Sequence, residues 1–199
     1  YRLALHMQAD DVFVSWLPLY HDMGLIACYL MPILLGYPLV LMSPFDWVRA
    51  PYKLLQAVSQ YRGTLTWLPN FAYNFCAQKI RERDLQGVDL SCWRAVSNCW
   101  VPTHWKSHLV FVERFAPHGL RPGSLATCYA MAENVFAVTQ SGLATGVVVD
   151  EVELRALLTE RVARPATDGV DSVKLLSAGR PVGEAQVRVM NDQRQELPD

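Results

Sequence analysis

"SWLPLYHDMGLIACYLMPILLGYPLVLM", Ser15 to Met42, sets a histidine and an aspartate in front of an almost unbroken apolar run. No charge falls between Met23 and Phe45, and about 20 apolar residues suffice to cross a bilayer. Gly24, Pro32, Gly36 and Pro38 interrupt the run, however, and neither basic flanks nor aromatic belts border it. "GYP" has the composition of a turn. The stretch therefore predicts a buried helix from Met23 to Leu35 and then a central strand, "PLVLM", with no transmembrane segment.

The same alternation extends to both sides. "VFVSWL" precedes the Met23 helix, "PLVLM" precedes a helical pattern over Pro51 to Tyr61, "TLTWLP" one over Phe71 to Arg83, and "WRAVSN" one over Pro102 to Phe115. Asn70 is placed to cap the third helix. Alternating strands and helices predict an α/β fold, a mostly parallel sheet layered with helices. After Val138 the pattern changes. "QSGLATG" is turn-rich, Asp150 to Arg161 has the pattern of a charged amphipathic helix, and "VARPATDG" that of a loop. "VKLLSAGRP" and "AQVRVMND" are then expected as strands joined through "GRPVGE".

At 51% hydrophobic and 11% aromatic residues, disordered and fibrous classes are excluded. Lys and Arg number 18 against 19 Asp and Glu, so no electrostatic footprint for nucleic acid or an anionic membrane exists. The 5 cysteines are odd in number and sit in apolar surroundings, which predicts reduced thiols and a cytoplasmic protein. Tyr1 to Gln8 has no secretory-signal pattern. The chain opens without Met and closes on a turn-like "QELPD", so a piece of a longer protein is expected.

Cys92, Cys99, His104 and His108 mimic a zinc finger, but the two cysteines stand too far apart for a knuckle, which leaves surface histidines and buried thiols. Neither the GxSxG elbow nor the GxxxxGK[ST] phosphate loop occurs, so Ser97, Ser124 and Ser177 lack a nucleophile's setting. Glu133 in "CYAMAENVF" is a lone carboxylate between two apolar runs. It fits an exposed turn, a salt bridge, or a metal ligand at a strand end, where open α/β sheets bind ligands.

"WLPLYHDMGLI", "PNFAYNFCAQKIRERDLQGVDLSCWRAVSN" and "CYAMAENVFAVT", in this order and spacing, resemble the fatty acyl-AMP ligases, a branch of the adenylate-forming superfamily. "LLSAGRPVGEAQVRVMND" resembles the glycine-containing segment that follows in that family, so the likeness spans residues 1–199, as part of a large N-terminal adenylation domain. The resemblance implies that ATP and a fatty acid yield an acyl-adenylate and pyrophosphate, with transfer to an acyl carrier protein of a polyketide or peptide synthase. It assigns His21 and Glu133 to catalysis, Glu133 also as the Mg²⁺ ligand. Asn98, Cys99 and Trp100 would line the adenine pocket, and Tyr129, Ala130 and Met131 would lie beside the nucleotide. Met23, Phe71 and Tyr73, with Met131, would wall the acyl tunnel. Residues 140–172 fall where these ligases carry an insertion that CoA synthetases lack. "NCWVP" stands where much of the family has Asn-Gly-Ala-Glu-Pro, and Ala130 replaces a glycine, so a non-catalytic relative with a blocked adenine pocket is the first alternative and an acyl-CoA synthetase the second.

Overall fold

The structure, a computed structural model, describes residues 1–99, 103–143 and 146–197. A seven-stranded sheet has the order β2-β1-β3-β4-β5-β6-β9. Strands β1 (Phe13–Ser15), β2 (Leu39–Leu41), β3 (Leu65–Leu68), β4 (Ala95–Cys99) and β5 (Leu125–Ala130) run parallel. Strand β6 (Ala137–Ser141) pairs antiparallel with β5, and β9 (Arg180–Pro181) antiparallel with β6. A π-helical segment, Met23–Leu30, leads into α1 (Met31–Leu35). Helices α2 (Pro44–Arg49), α3 (Tyr52–Tyr61), α4 (Asn70–Lys79) and α5 (Trp105–Phe115) occupy the later connections. The α/β architecture expected from the alternation is the one observed.

Local chemistry explains these elements. Strands β3 and β4 are buried along their whole length, as continuous runs such as "LTWL" require of central parallel strands. Helix α3 buries Leu54, Leu55 and Val58 at helical spacing, and α5 buries Phe111 and Phe115. Each such side chain contributes roughly 1.5–3 kcal/mol on burial. At the amino edge one carboxylate ties three strand starts together. Asp11, 1% exposed, accepts from Arg94 Nε (3.1 Å) and Nη2 (2.7 Å), from Thr64 Oγ1 (2.7 Å) and from the Gln8 N–H (2.8 Å). These residues stand just before β1, β3 and β4.

Several expectations are corrected. "PLVLM" forms an edge strand, not a central one, and Leu41 with Ile33 and Leu34 of the preceding helix is exposed. The expected helix over Asp150 to Arg161 is instead strand β7 (Val149–Glu153) followed by a short π-helical turn, Ala156–Glu160. Alternation in "VDEVE" wins over the helical period because β8 (Ser172–Leu176) offers an antiparallel partner, with Glu151 close to both Ser172 and Lys174 across the pair. "VKLLSAGRP" is split between β8 in this two-stranded sheet and β9 in the large one. The break falls at Gly179, at φ +93°, where a Cβ would lie 2.2 Å from the Gln140 carbonyl. "AQVRVMND" joins neither sheet. It turns back on itself through the Met190–Glu196 bridge. Helix α4 starts with Pro69 as its N-cap, and Asn70 directs its side chain elsewhere. It ends at Lys79, before the expected Arg83.

Asp11→Ala in the intact protein is expected to cost about 3–5 kcal/mol, because it strands the Arg94 charge and the Thr64 hydroxyl. Asp11→Asn, which keeps an acceptor, is expected to cost less. Urea denaturation measures both.

Candidate active site at the carboxyl edge of the sheet

Register decides where the loops emerge. Leu68 pairs with Asn98, and Cys99 with Cys128, so the segments that follow β1, β3, β4 and β5 leave the sheet on one edge. Open α/β sheets bind ligands outside the carboxyl ends of their strands. His21, Asn98, Cys99 and Glu133 belong to these strand ends or loops, and Phe71 to the first turn of the helix that follows β3. Trp100 lies outside the described residues.

The loop after β1 carries His21. Its Nδ1 accepts from the Met23 N–H at 3.1 Å and lies 2.6 Å from Asp22 Oδ1. The same Asp22 oxygen accepts from the Met23 N–H at 2.8 Å and so caps the π-helical segment. Gly24 completes the fit. A Cβ there would stand 2.2 Å from the Pro18 carbonyl oxygen, so only glycine lets the 18–22 loop lie against the helix. A π-helix is rare and concentrates at functional sites; nothing in "MGLIACYL" announces it.

The loop after β5 carries Glu133 on a tight turn, Met131 to Phe136, closed by the Met131 N–H donating to the Phe136 carbonyl (2.9 Å). Val135 at its apex has φ 63° and ψ −49°, and the Phe136 N–H donates to the Asn134 carbonyl across it (2.6 Å). A β-branched residue in this left-handed γ-turn is strained. Glu133 and Tyr129 are exposed, Met131 is half-buried and Ala130 buried.

At the end of β4 the Asn98 side chain is fully buried in a polar cluster. Its Nδ2 donates to Asn70 Oδ1 at 3.0 Å and approaches His108 Nε2 at 3.0 Å. Asn70 Oδ1 also accepts the His104 N–H (3.1 Å), and Asn70 Nδ2 donates to Ser107 Oγ (3.1 Å). His108, expected at the surface, is 1% exposed, and burial lowers its pKa to about 4, so the ring is neutral. With Nε2 accepting from Asn98, the proton sits on Nδ1. The Cys99 thiol is held well above its ordinary range by its contact with Cys128 and by burial. Among the described residues no three His, Cys, Asp or Glu side chains converge as a metal site, so the zinc arrangement is absent there.

A cleft of about 560 Å³ runs along the helix that follows His21. Ile26, Leu30 and Leu34 form one wall, and Val135, Phe136 and Ala137 the other. No local pattern marks this pairing, because the two walls come from segments far apart in the chain. Met23, Phe71 and Tyr73 do not line it. Met23 is buried; Phe71 is exposed and meets the stacked Trp16 and Trp47 rings edge-on. Tyr73 is a core residue whose hydroxyl donates to the Val96 carbonyl (3.0 Å).

Two outcomes follow from this geometry. The His108 pKa is depressed from an ordinary 6.5 to about 4, so the unfolded chain binds the proton first. Stability is then complete above pH 6.5 and falls by roughly 3 kcal/mol as the pH drops to about 4. His108→Gln should flatten that slope in denaturant titrations across the range. Gly24→Ala should displace the His21 loop at a cost of about 1–3 kcal/mol, measured by thermal unfolding.

Comparisons with known proteins bear on this arrangement. The family model described as "AMP-binding enzyme" matches residues 1–199. The long-chain-fatty-acid–AMP ligase FadD26 of Mycobacterium marinum is 34% identical over 92% of this chain and 31% of its own length. The medium-chain-fatty-acid–[acyl-carrier-protein] ligase JamA of Moorena producens is 31% identical over 92% of this chain and 31% of its own. A crystal structure of a fatty acyl-adenylate ligase from L. pneumophila, in complex with acyl adenylate and pyrophosphate, superposes with a TM-score of 0.89 at 32% identity, over 96% of this chain and 33% of that one. The chain thus spans about a third of the length of these relatives. With the parallel sheet, the loops gathered at its carboxyl edge and a family match over the full length, the chain belongs to the AMP-binding enzyme family.

Proposed function

We propose that this chain is the central part of the large N-terminal domain of an ATP-dependent ligase that converts a fatty acid to its acyl-adenylate and passes the acyl group to an acyl carrier protein. The observation that carries the proposal is the apolar cleft of about 560 Å³, with the His21 loop at the start of one wall and the Glu133 turn at the start of the other. From Ile26 to Leu35 the helix runs on the order of 12 Å, a length suited to an alkyl chain whose carboxylate faces the sheet edge.

When bound, ATP supplies an electrophilic α-phosphate and Mg²⁺ withdraws charge from the phosphates. The residues present fit these groups. Glu133 is exposed and has no ion pair among the described residues, and Mg²⁺ takes one or two carboxylates together with phosphate oxygens and water. Its turn leaves the end of β5 beside Tyr129, whose exposed ring can lie against a nucleotide base. Asn98 and Cys99 end the neighbouring strand, paired with Thr127 and Cys128, and would form the adenine side together with Ala130, which ends β5, and Met131, which follows it. His21, held at Nδ1 by the Met23 N–H and set beside Asp22, would bring its ring to where carboxylate and phosphate meet. Holding both reactants in register, more than any proton transfer, is what these residues contribute.

The excursion over residues 140–172 supports carrier protein over CoA as acceptor. It would correspond to the ligase-type insertion; it contains β7, whose partner β8 begins where it ends and meets the start of α5 at the His104–Leu175 bridge. The free thiols, four of the five buried, favour a reducing, cytoplasmic setting. Polyketide or peptide synthase modules are the corresponding source of the carrier protein.

In the intact protein, ATP–pyrophosphate exchange should depend on added fatty acid. Glu133→Ala should lower it about a hundredfold, the several kcal/mol that a metal's charge supplies, with unfolding unchanged. Exchange at the wild-type rate would remove Glu133 from the site, and acyl-CoA formation in place of acyl-carrier protein would reassign the acceptor.

A further inference from the structure

We propose that Asn70 is a positioning residue for the nucleotide, holding together the two ends of the connection from β4 to α5. This rests on the assignment of the β4 end to the adenine side. Asn70 Oδ1 accepts from Asn98 Nδ2 (3.0 Å) at the end of β4 and from the His104 N–H (3.1 Å) at the start of α5. One oxygen therefore fixes the separation between the last turn of the strand and the first of the helix.

The rest of the side chain is equally committed. Asn70 Nδ2 donates to Ser107 Oγ, which also accepts from Asn74 Nδ2 at 2.9 Å, so the clamp is anchored in α5 and α4 at once. Asn70 is 7% exposed, and Pro69, not Asn70, occupies the capping position of α4. A plain packing role accounts poorly for this cluster. It buries Asn70, Asn98, Ser107 and His108 together and leaves Asn98 Oδ1 and His108 Nδ1 without hydrogen-bond partners among the described residues. Apolar side chains of the same volume would hold a strand against a helix at no such desolvation cost. What polar groups add is direction. An acceptor shared by a side-chain amide and a backbone amide fixes the orientation of the Asn98 side chain and the position of the His104 backbone together.

Asparagine fits uniquely well, because the role needs a two-lone-pair acceptor at one end and a donor at the other. Aspartate keeps the acceptor, and Ser107 can then donate to it. Serine is too short to reach both Asn98 and His104.

The test uses the intact protein with Asn70→Ala, Asn70→Asp and, as a control on the other end of the same side chain, Ser107→Ala. Calorimetry with ATP should show Asn70→Ala binding about tenfold more weakly, the factor one ordinary buried hydrogen bond makes, with fatty-acid affinity unchanged. Asn70→Asp should restore most of the loss. Ser107→Ala, which loosens the anchor but keeps both Asn70 Oδ1 bonds, should reduce thermal stability and weaken ATP binding by clearly less than Asn70→Ala does. Independently of any ligand, the His104 amide should exchange its hydrogen about tenfold faster in Asn70→Ala than in wild type. If Asn70→Ala does not fold, Asn70→Ser takes its place with the same expectations. ATP affinity in Asn70→Ala equal to wild type would overturn the proposal, as would a parallel loss for ATP and fatty acid matched by Ser107→Ala. A wild-type protein that binds no ATP, with His104 exchange still sensitive to Asn70, would instead overturn the nucleotide assignment beneath it.

Discussion

Parallel pairing is the constraint on which the rest depends. Once β1, β3, β4 and β5 run the same way, every loop that follows a strand must surface on the same edge. Residues scattered from His21 to Glu133 are gathered there without contacting one another in the core. The opposite edge bears the corresponding burden. There Asp11 spends its whole hydrogen-bonding capacity on the starts of β1, β3 and β4, so the register that aligns the loops is fixed from behind by charge.

Along the first half of the chain this arrangement is legible in the sequence, because each element has one dominant signal. "LTWL" is apolar throughout and buried throughout; α3 and α5 follow a helical period; Gly36, in a left-handed conformation, ends α1 where "GYP" suggested a turn. Beyond Val138 the signals conflict. "VDEVELRALL" satisfies a period of 3.6 in its second part and a period of 2 in its first, and only the presence of β8 across from it decides between them. Edge position is invisible for a related reason. "PLVLM" is as apolar as a central strand, and only the count of neighbours distinguishes the two.

The candidate site divides in the same way. His21, Glu133, Tyr129 and the β4 end are candidates by family likeness, through the motifs that hold them. Their supports are not. Asn70 looked like a helix cap and His108 like a surface residue, because a sequence shows that a polar group exists and not what it bonds. The π-helical geometry of Met23–Leu30 and the positive φ of Val135 leave no compositional trace at all. Glycine is the exception. Gly24 could have signalled the close approach of Pro18, since a glycine inside an apolar helical run needs a reason.

The open edge at β2 has a practical consequence. Leu41 on that strand, Leu34 before it, and Phe45 and Val48 after it are all exposed, beside a row of backbone amides and carbonyls that pairs with no strand on that side among the described residues. Such an edge is a template for intermolecular pairing. In an isolated polypeptide of these 199 residues, intermolecular pairing would start from this one short strand, whatever the strength of the core behind it.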